Sequence, residues 1–217
     1  SNRSSSTGFD RNYDEGGSFS MAAAYLTRGT GPVYEWQAPY KNLRSAADVS
    51  FSPALKIDEI IFIPERKSAL DNQAIKQTVI NYGAVSASYV SVEEYYSSDD
   101  LSYYLPADYN AGRAPVGSSP VIATNHAIAI IGWDDNYSKE NFVTEPAGNG
   151  AFLCKNSWGK DFADNGYFYI SYYDGFLGIQ EFSMAFGKVS SDKTYKRIYQ
   201  YDPLGATSAF GYNDELY

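Results

Sequence analysis

The 217 residues carry a formal net charge of −9, and 44% of them are hydrophobic against 20% that are charged. This balance predicts a folded chain with a packed core rather than a disordered one. The acidic charge argues against a nucleic-acid partner, because phosphates require a basic patch. No apolar run approaches the roughly 20 residues that span a bilayer, so no membrane insertion is expected. The single cysteine, Cys154, excludes an internal disulfide.

The first predicted elements are a helix and a strand. Residues 1–11 read as a flexible leader, and the segment SFSMAAAYLTRG that follows predicts a helix. Ser18 is a suitable N-cap, the alanine run favours the helix, and Gly29 can end it in a left-handed turn. Further along, KIDEIIFIP alternates too little for an amphipathic strand and predicts a mostly buried one.

A second helix and several strands complete the predicted order. The helix is expected through AIKQTVINY, with Ser68 and Asp71 as a capping box and Gly83 as its end. Strand patterns follow in AVSASYVSV, NHAIAIIGW, GAFLCKN and NGYFYISYY. Residues 97–120 have no periodicity, and a connection of that length is typical of functional or mobile loops. Helices followed by an antiparallel sheet predict an α+β fold.

Three residues raise the possibility of cysteine-based catalysis. The chain holds one histidine, His126, and Asn156 lies 30 residues after it, two residues beyond Cys154. A catalytic thiol needs a partner that accepts its proton, usually a histidine. That histidine is held in one orientation by an Asn or Asp side chain. Because His126 and Asn156 lie at or near the ends of predicted strands, adjacent antiparallel strands can bring them together.

Longer motifs carry a resemblance to a known family. NHAIAIIGW followed by GAFLCKNSWGKDFADNGYFYIS resembles the histidine and asparagine segments of papain-like (C1 family) cysteine peptidases. DEGGSFSMAAAYLTRGTGPVYEWQAPY resembles the family's Gly-Gly segment with its helix, and NQAIKQTVINYGAVSASYVSVEEYY resembles the helix and first strand of its β-lobe. Details such as ISYYD and IYQYDPLG are similar to the prokaryotic branch.

The resemblance implies a fold, a domain organisation and an activity. It implies a two-lobe fold, with an incomplete helical lobe and an antiparallel sheet or barrel lobe, over residues 12–186. Residues 187–217 are then a C-terminal tail, which in some relatives leads to a lectin-like β-domain. The implied activity is thiol-dependent endopeptidase hydrolysis of protein or peptide substrates, without a cofactor or a metal. A secreted or cell-surface location is expected.

Cys154 is not expected to be the nucleophile. In the family the nucleophile lies about 130 to 150 residues before the His, which from His126 falls before residue 1. We therefore expect the nucleophile helix in a segment upstream of this sequence, and Cys154 as a small buried hydrophobe. GGSFSMAAA superficially resembles the nucleophile turn, with Ser20 in place of the Cys. Its surroundings match the Gly-Gly segment instead.

The resemblance also implies roles for individual residues. His126 is the general base and acid, Asn156 orients it, and Trp158 shields the bond between them. Substrate-binding residues are expected at five positions, where Gly17 pairs with an extended peptide, and Ala127 and Ser88 line a pocket for a bulky apolar side chain: Gly16, Gly17, Ser88, Asn125 and Ala127.

Alternative interpretations stay open at this point. A catalytically inactive relative could use the cleft, or the loop at residues 97–120, to bind protein at a cell surface. A third possibility is a structural or carbohydrate-binding module built on the 21 tyrosines, which predicts exposed aromatics clustered on one face. Asp134, Asp135 and Asn136 lack the spacing of a calcium loop and are expected to form a solvated turn. An incomplete helical lobe also predicts an exposed apolar surface, and hence a homodimer, a domain swap or a repacked helical lobe.

Overall fold

The structure is a computed structural model that describes residues 16–37, 52–109, 124–191 and 199, and the backbone of residues 211–212 and 215–216. The leader at 1–11, the second half of the predicted loop and most of the tail lie outside the described residues. The chain divides into two units, residues 1–60 with 187–217 and residues 61–186.

The first unit contains the helix predicted from the alanine-rich segment. Helix α1 spans Phe19–Tyr25 and continues as a π-helical turn over Leu26–Thr30. Ser18 is its N-cap, and the Ser18 hydroxyl accepts a hydrogen bond from the amide of Met21 at 3.3 Å. Gly29 leaves the helical conformation with φ +82°. The predicted cap and end of this helix are both confirmed.

A large, mainly antiparallel sheet dominates the described residues, and it confirms the α+β prediction. The sheet has eight strands in the order β1-β8-β2-β5-β6-β7-β4-β3. All of its neighbouring pairs whose register is defined are antiparallel except β4 with β7. The strand bounds, with a separate β9–β10 pair, are β1 Lys56–Ile63, β2 Val85–Tyr89, β3 Tyr96–Ser97, β4 Ser102–Tyr103, β5 His126–Asp134, β6 Ala151–Lys155, β7 Tyr167–Ser171, β8 Ser183–Ser190, β9 Gly211–Tyr212 and β10 Glu215–Leu216.

The second predicted helix is present, but its predicted cap is wrong. Helix α2 spans Gln73–Tyr82 and ends at Gly83, which has φ +90°. Its N-cap is Asn72, and no side chain caps it. Ser68 and Asp71 form a turn before the helix instead, in which the Asp71 carboxylate accepts a hydrogen bond from the amide of Lys67 at 3.0 Å. Ser68 and Asp71 therefore stabilise the turn before α2 and do not cap the helix.

Two further predictions are corrected by the sheet. Strand β1 is mostly not buried, since Ile57 and Ile63 are its only buried residues and Phe62 is exposed. The reason is that β1 is an edge strand, so within the described sheet a neighbouring strand covers it on one side only. The described part of the predicted loop at 97–120 contains a strand, because Ser102 and Tyr103 form β4, are buried and pair with β7 in parallel.

The hydrophobic core lies in the second unit and holds the strands that carry the predicted catalytic residues. It includes the inward residues Ile128 and Ile130 of β5, Phe152 of β6, and Phe168 and Ile170 of β7. Burial of such side chains stabilises the sheet by about 1.5–3 kcal/mol each, which fixes the strand ends from which a site is built. Within the described ranges, no helix has the length and apolar character needed to cross a membrane.

Candidate active site

The position of His126 is set by the pairing of two strands. His126 is the first residue of β5 and lies opposite Tyr89, the last residue of β2. The amide of Asn125 donates to the Tyr89 carbonyl at 3.2 Å, which closes the end of this ladder. The buried Tyr89 ring meets the imidazole edge-on, with centroids 5.7 Å apart. The imidazole therefore packs on a rigid part of the core.

Asn156 is positioned by the next hairpin. Asn156 directly follows β6, and its backbone amide donates to the carbonyl of Gly166 at 2.8 Å. Gly166 has φ +89°, and a Cβ there would lie 3.0 Å from the Lys155 ammonium and 3.1 Å from the Gly159 carbonyl. Only glycine meets both demands without strain. The turn between β6 and β7 thus fixes the backbone from which the Asn156 side chain projects.

The two side chains meet in a short hydrogen bond. His126 Nε2 lies 2.8 Å from Asn156 Oδ1, and the amide of Ser157 donates to the same atom at 2.7 Å. A backbone N–H can only donate, so the amide atom that it faces must be the oxygen. An oxygen acceptor in turn requires that Nε2 carries the proton. In the neutral imidazole Nδ1 is then the basic nitrogen.

Trp158 lies against the imidazole. The ring centroids of Trp158 and His126 are 4.8 Å apart, and the two planes are inclined by 37°. The other side of the indole is supported edge-on by Phe162 at 4.9 Å. Trp158 is 52% exposed, so one part of the indole faces solvent while another part packs against the imidazole. An apolar cover strengthens a hydrogen bond by keeping water away from it.

Cys154 is sealed inside the core, which confirms that it is a buried structural residue. It is 0% exposed and lies on β6 between its cross-strand partners Ile130 and Phe168. Burial raises the pKa of its thiol well above the ordinary value. The sulfur lies 3.6 Å from the carbonyl of Phe152. A thiol that is neutral and inaccessible cannot attack a substrate.

Ser88 and Ala127 lie side by side, as direct cross-strand partners on β2 and β5. Ala127 is exposed, whereas Ser88 is buried and donates its hydroxyl to a carboxylate oxygen of Glu181 at 3.0 Å. Sequence reasoning did not identify Glu181. It lies 93 residues after Ser88, so no local pattern connects the two. The carboxylate adds a negative charge beside a wall that was expected to be apolar.

The side-chain amide of Asn125 holds the backbone of Ser91. Its oxygen accepts from the Ser91 amide at 2.6 Å, and its nitrogen donates to the Ser91 carbonyl at 3.0 Å. These two bonds hold Asn125, the residue before His126, against the backbone of Ser91. The contact of Asn125 with substrate stays a prediction. Gly16 and Gly17 belong to the first unit, just before α1, and both are exposed. Their contact with an extended peptide also stays a prediction.

Two other groups noted in the sequence have structural partners. The Ser20 hydroxyl lies in α1, 2.9 Å from the hydroxyl of Ser18. Asp134 accepts a hydrogen bond from the amide of Asn136 at 2.8 Å, in the turn after β5. Asp135 pairs with Lys76 and also accepts from the hydroxyl of Tyr172. The acidic turn therefore joins β5 to α2 and to the end of the hairpin.

Comparison with known proteins connects this geometry to one family. The model of the family described as "Papain family cysteine protease" matches residues 8–186. "Probable cysteine proteinase 224L" of Invertebrate iridescent virus 6 is 28% identical over 113 residues, which cover 48% of this chain and 25% of the viral protein.

Solved structures give a similar result. Cwp84, described as a clostridial cysteine protease and solved after propeptide cleavage, is 30% identical with a TM-score of 0.74, covering 94% of this chain and 48% of that one. The cysteine protease and lectin-like domains of Cwp84, a surface-layer-associated protein of Clostridium difficile, are 32% identical with a TM-score of 0.60, covering 78% and 36%. Digestive procathepsin L2 of Tenebrio molitor shares the fold at 20% identity, with a TM-score of 0.51 and coverage of 78% and 47%. The chain spans about half or less of the length of these relatives.

Proposed function

Because the chain belongs to the papain family of cysteine proteases and has a papain-like fold, we propose that His126 and Asn156 are two members of a Cys-His-Asn triad that hydrolyses peptide bonds. The third member is a cysteine in a segment upstream of this sequence. Cys154 is not a candidate, because the core encloses it. The chain by itself is then inactive as a peptidase.

The observation that carries the proposal is the hydrogen bond between His126 Nε2 and Asn156 Oδ1, with the Ser157 amide on the same oxygen. This arrangement leaves Nδ1 as the nitrogen that exchanges a proton with the thiol. A structural histidine has no need for an oriented amide and an indole cover together. The pair supports base catalysis for this reason.

The proposed chemistry proceeds in two stages. Proton transfer from the upstream thiol to Nδ1 of His126 gives a thiolate and an imidazolium. The thiolate attacks the substrate carbonyl carbon, and the imidazolium then gives its proton to the leaving amine as the peptide C–N bond breaks. In the second stage the imidazole takes a proton from water, which attacks the thioester and releases the thiol and the carboxylic acid. Asn156 keeps the imidazole in register through both stages.

The proposed substrate is an extended peptide. By resemblance to the family, the backbone of Gly17 pairs with the peptide as an added strand. Gly16 and Asn125 are assigned to substrate binding on the same ground. Ser88 and Ala127 form a wall for one substrate side chain, and Glu181 gives this wall a negative charge. We therefore propose that this wall accepts substrate side chains with an apolar stem and a cationic head, in addition to bulky apolar ones.

The proposed location is secreted or at the cell surface. It is supported by Cwp84, which is described as associated with a surface layer and as having a lectin-like domain. The lectin-like domain of the same relative supports the proposal that the tail at 187–217 leads to a further domain. A homodimer through the helical lobe stays a proposal, to be tested by the mass of the particle in solution.

The proposal is tested on the natural protein, purified from its source. We expect hydrolysis of an unfolded protein substrate that is lost on thiol alkylation. His126→Ala should reduce the turnover at least about a thousandfold, in the range seen when a triad member is removed. The control Asn81→Ala changes an exposed residue of α2 and should leave turnover unchanged. If the natural protein binds peptides but hydrolyses no substrate before alkylation, the inactive binding module is the correct interpretation.

A further inference from the structure

A cavity lies on the outer face of the sheet. On β6 the residues Phe152 and Cys154 face the core, so Leu153 between them faces the other way. Leu153 and Ile131 form the floor of a cavity with a volume of about 600 Å³. That volume falls in the range of small-molecule and side-chain binding sites. None of the proposed catalytic or substrate-binding residues lines it.

The walls of the cavity are tyrosine rings that are already held in place. The rings of Tyr137 and Tyr169 stack with centroids 4.2 Å apart at 24°. The hydroxyl of Tyr137 donates to the carbonyl of Asp100 at 2.7 Å, which ties this wall to the rim. Tyr167 completes the wall and is 37% exposed. A ligand therefore meets aromatic surface that needs little ordering on binding.

The tyrosine wall already attracts a cation. The ammonium of Lys155 lies 3.9 Å from the centroid of Tyr167 and donates to the Asn165 carbonyl. Lys155 does not line the cavity. Its placement shows that the electron-rich face of this ring is used for a cation in the chain itself.

The rim carries two carboxylates, Asp100 and Asp164. Each accepts one hydrogen bond from a neighbouring neutral side chain, Ser97 at 3.3 Å and Asn165 at 2.8 Å respectively. Within the described part of the chain, neither forms an ion pair with a Lys or Arg. A carboxylate has about four acceptor positions, so both retain capacity for a donor.

These features fit a group with an apolar stem and a cationic head. The stem matches the floor of Ile131 and Leu153, and the head matches the two rim carboxylates and the tyrosine faces. Both carboxylates are exposed, so a cationic head gains a charge attraction that a neutral sugar lacks, whereas an anionic ligand would be repelled. We propose that this cavity binds a lysine or arginine side chain in a peptide segment of another protein. The proposal does not rest on peptidase activity.

The test measures binding of a capped Gly-Ala-Lys-Ala-Gly peptide to the chain, with the same peptide carrying acetyl-lysine as the matched probe. Cavity contacts are followed by NMR shifts of the tyrosine rings. We expect the lysine peptide to bind in the millimolar range or tighter and to shift Tyr167, and the acetyl-lysine peptide to bind at least about fivefold more weakly. The double variant Asp100→Asn with Asp164→Asn should weaken the lysine peptide by about three- to tenfold.

A control separates the cavity from the general acidity of the chain. Asp99→Asn with Asp161→Asn removes the same charge from two exposed neighbours that do not line the cavity, and binding should stay within about twofold. Equal binding of the two peptides, an equal loss in both double variants, or no binding at about 10 mM would overturn the proposal. Preferential binding of N,N′-diacetylchitobiose in the same cavity would identify a sugar site and also overturn it.

Discussion

The amide of Asn156 should determine which nitrogen of His126 carries the proton. Asn156 Oδ1 accepts from Nε2 at 2.8 Å and is itself fixed by the amide of Ser157 at 2.7 Å. The other tautomer would place a lone pair of Nε2 against this oxygen. Turning the amide over would place its NH₂ group against the Ser157 N–H. Both rearrangements lose one of the two hydrogen bonds at this partly buried site.

The size of the effect follows from that loss. Leaving a buried donor or acceptor unpaired costs about 1–3 kcal/mol, and every 1.4 kcal/mol is a factor of ten. Neutral His126 should therefore have Nε2 protonated in at least about five molecules of six. Asn156→Ala removes the acceptor, and the ratio of the Nε2–H to the Nδ1–H tautomer should then fall by at least about fivefold.

The assay is ¹⁵N NMR of the chain labelled in histidine. Because His126 is the only histidine, one pair of ring nitrogens is observed without assignment. We expect a protonated Nε2 in the parent chain, mixed tautomers in Asn156→Ala, and a parent-like spectrum in the control Asn81→Ala. A dominant Nδ1–H form in the parent, or an unchanged spectrum in Asn156→Ala, would refute the reasoning. Neither result depends on the upstream cysteine.

Three further predictions concern the buried groups and the substrate wall. Cys154 in the folded chain should react with iodoacetamide at least about a thousandfold more slowly than in denaturant, because reaction requires an opening of about 4 kcal/mol or more; comparable rates would show that it is accessible. Arg66 is buried and donates to three carbonyls, of Leu177 at 3.0 Å and of Ala69 and Tyr172 at 2.6 Å each. Arg66→Met leaves these carbonyls without their donor and should lower the free energy of unfolding, measured by urea titration, by about 3–5 kcal/mol. A loss below about 1 kcal/mol would contradict a stabilising role of Arg66. In the natural protein, Glu181→Gln should lower kcat/KM about three- to tenfold for substrates with a basic side chain at the Ser88 wall and leave apolar ones unchanged; an equal change for both would remove Glu181 from specificity.

The order of the elements could be predicted from the sequence because each has a local signal. Ser18 caps the first helix, and Gly29 and Gly83 end the two helices, because their roles depend only on nearby backbone. The proximity of the His126 and Asn156 side chains could also be predicted, because neighbouring antiparallel strands bring their ends together. The inward position of Cys154 followed from its family context.

Other features depend on distant parts of the chain and had no local signal. The exposure of β1 follows from its place at the sheet edge, which its own residues do not specify. Ser68 and Asp71 have capping-box spacing, but the Asp71 carboxylate accepts its hydrogen bond from the backbone amide of Lys67 in a turn before the helix. Glu181 reaches Ser88 from 93 residues away, and the tyrosine cavity is assembled from several separate segments.

The central claim is that His126 serves a cysteine outside this sequence. The most direct measurement treats the natural protein with a peptidyl epoxide that reacts only with a catalytic thiolate, and then maps the label by mass spectrometry. The account predicts stoichiometric labelling of one upstream cysteine, loss of that label in His126→Ala, and no label on Cys154. A label on Cys154, or full labelling that survives His126→Ala, would contradict it.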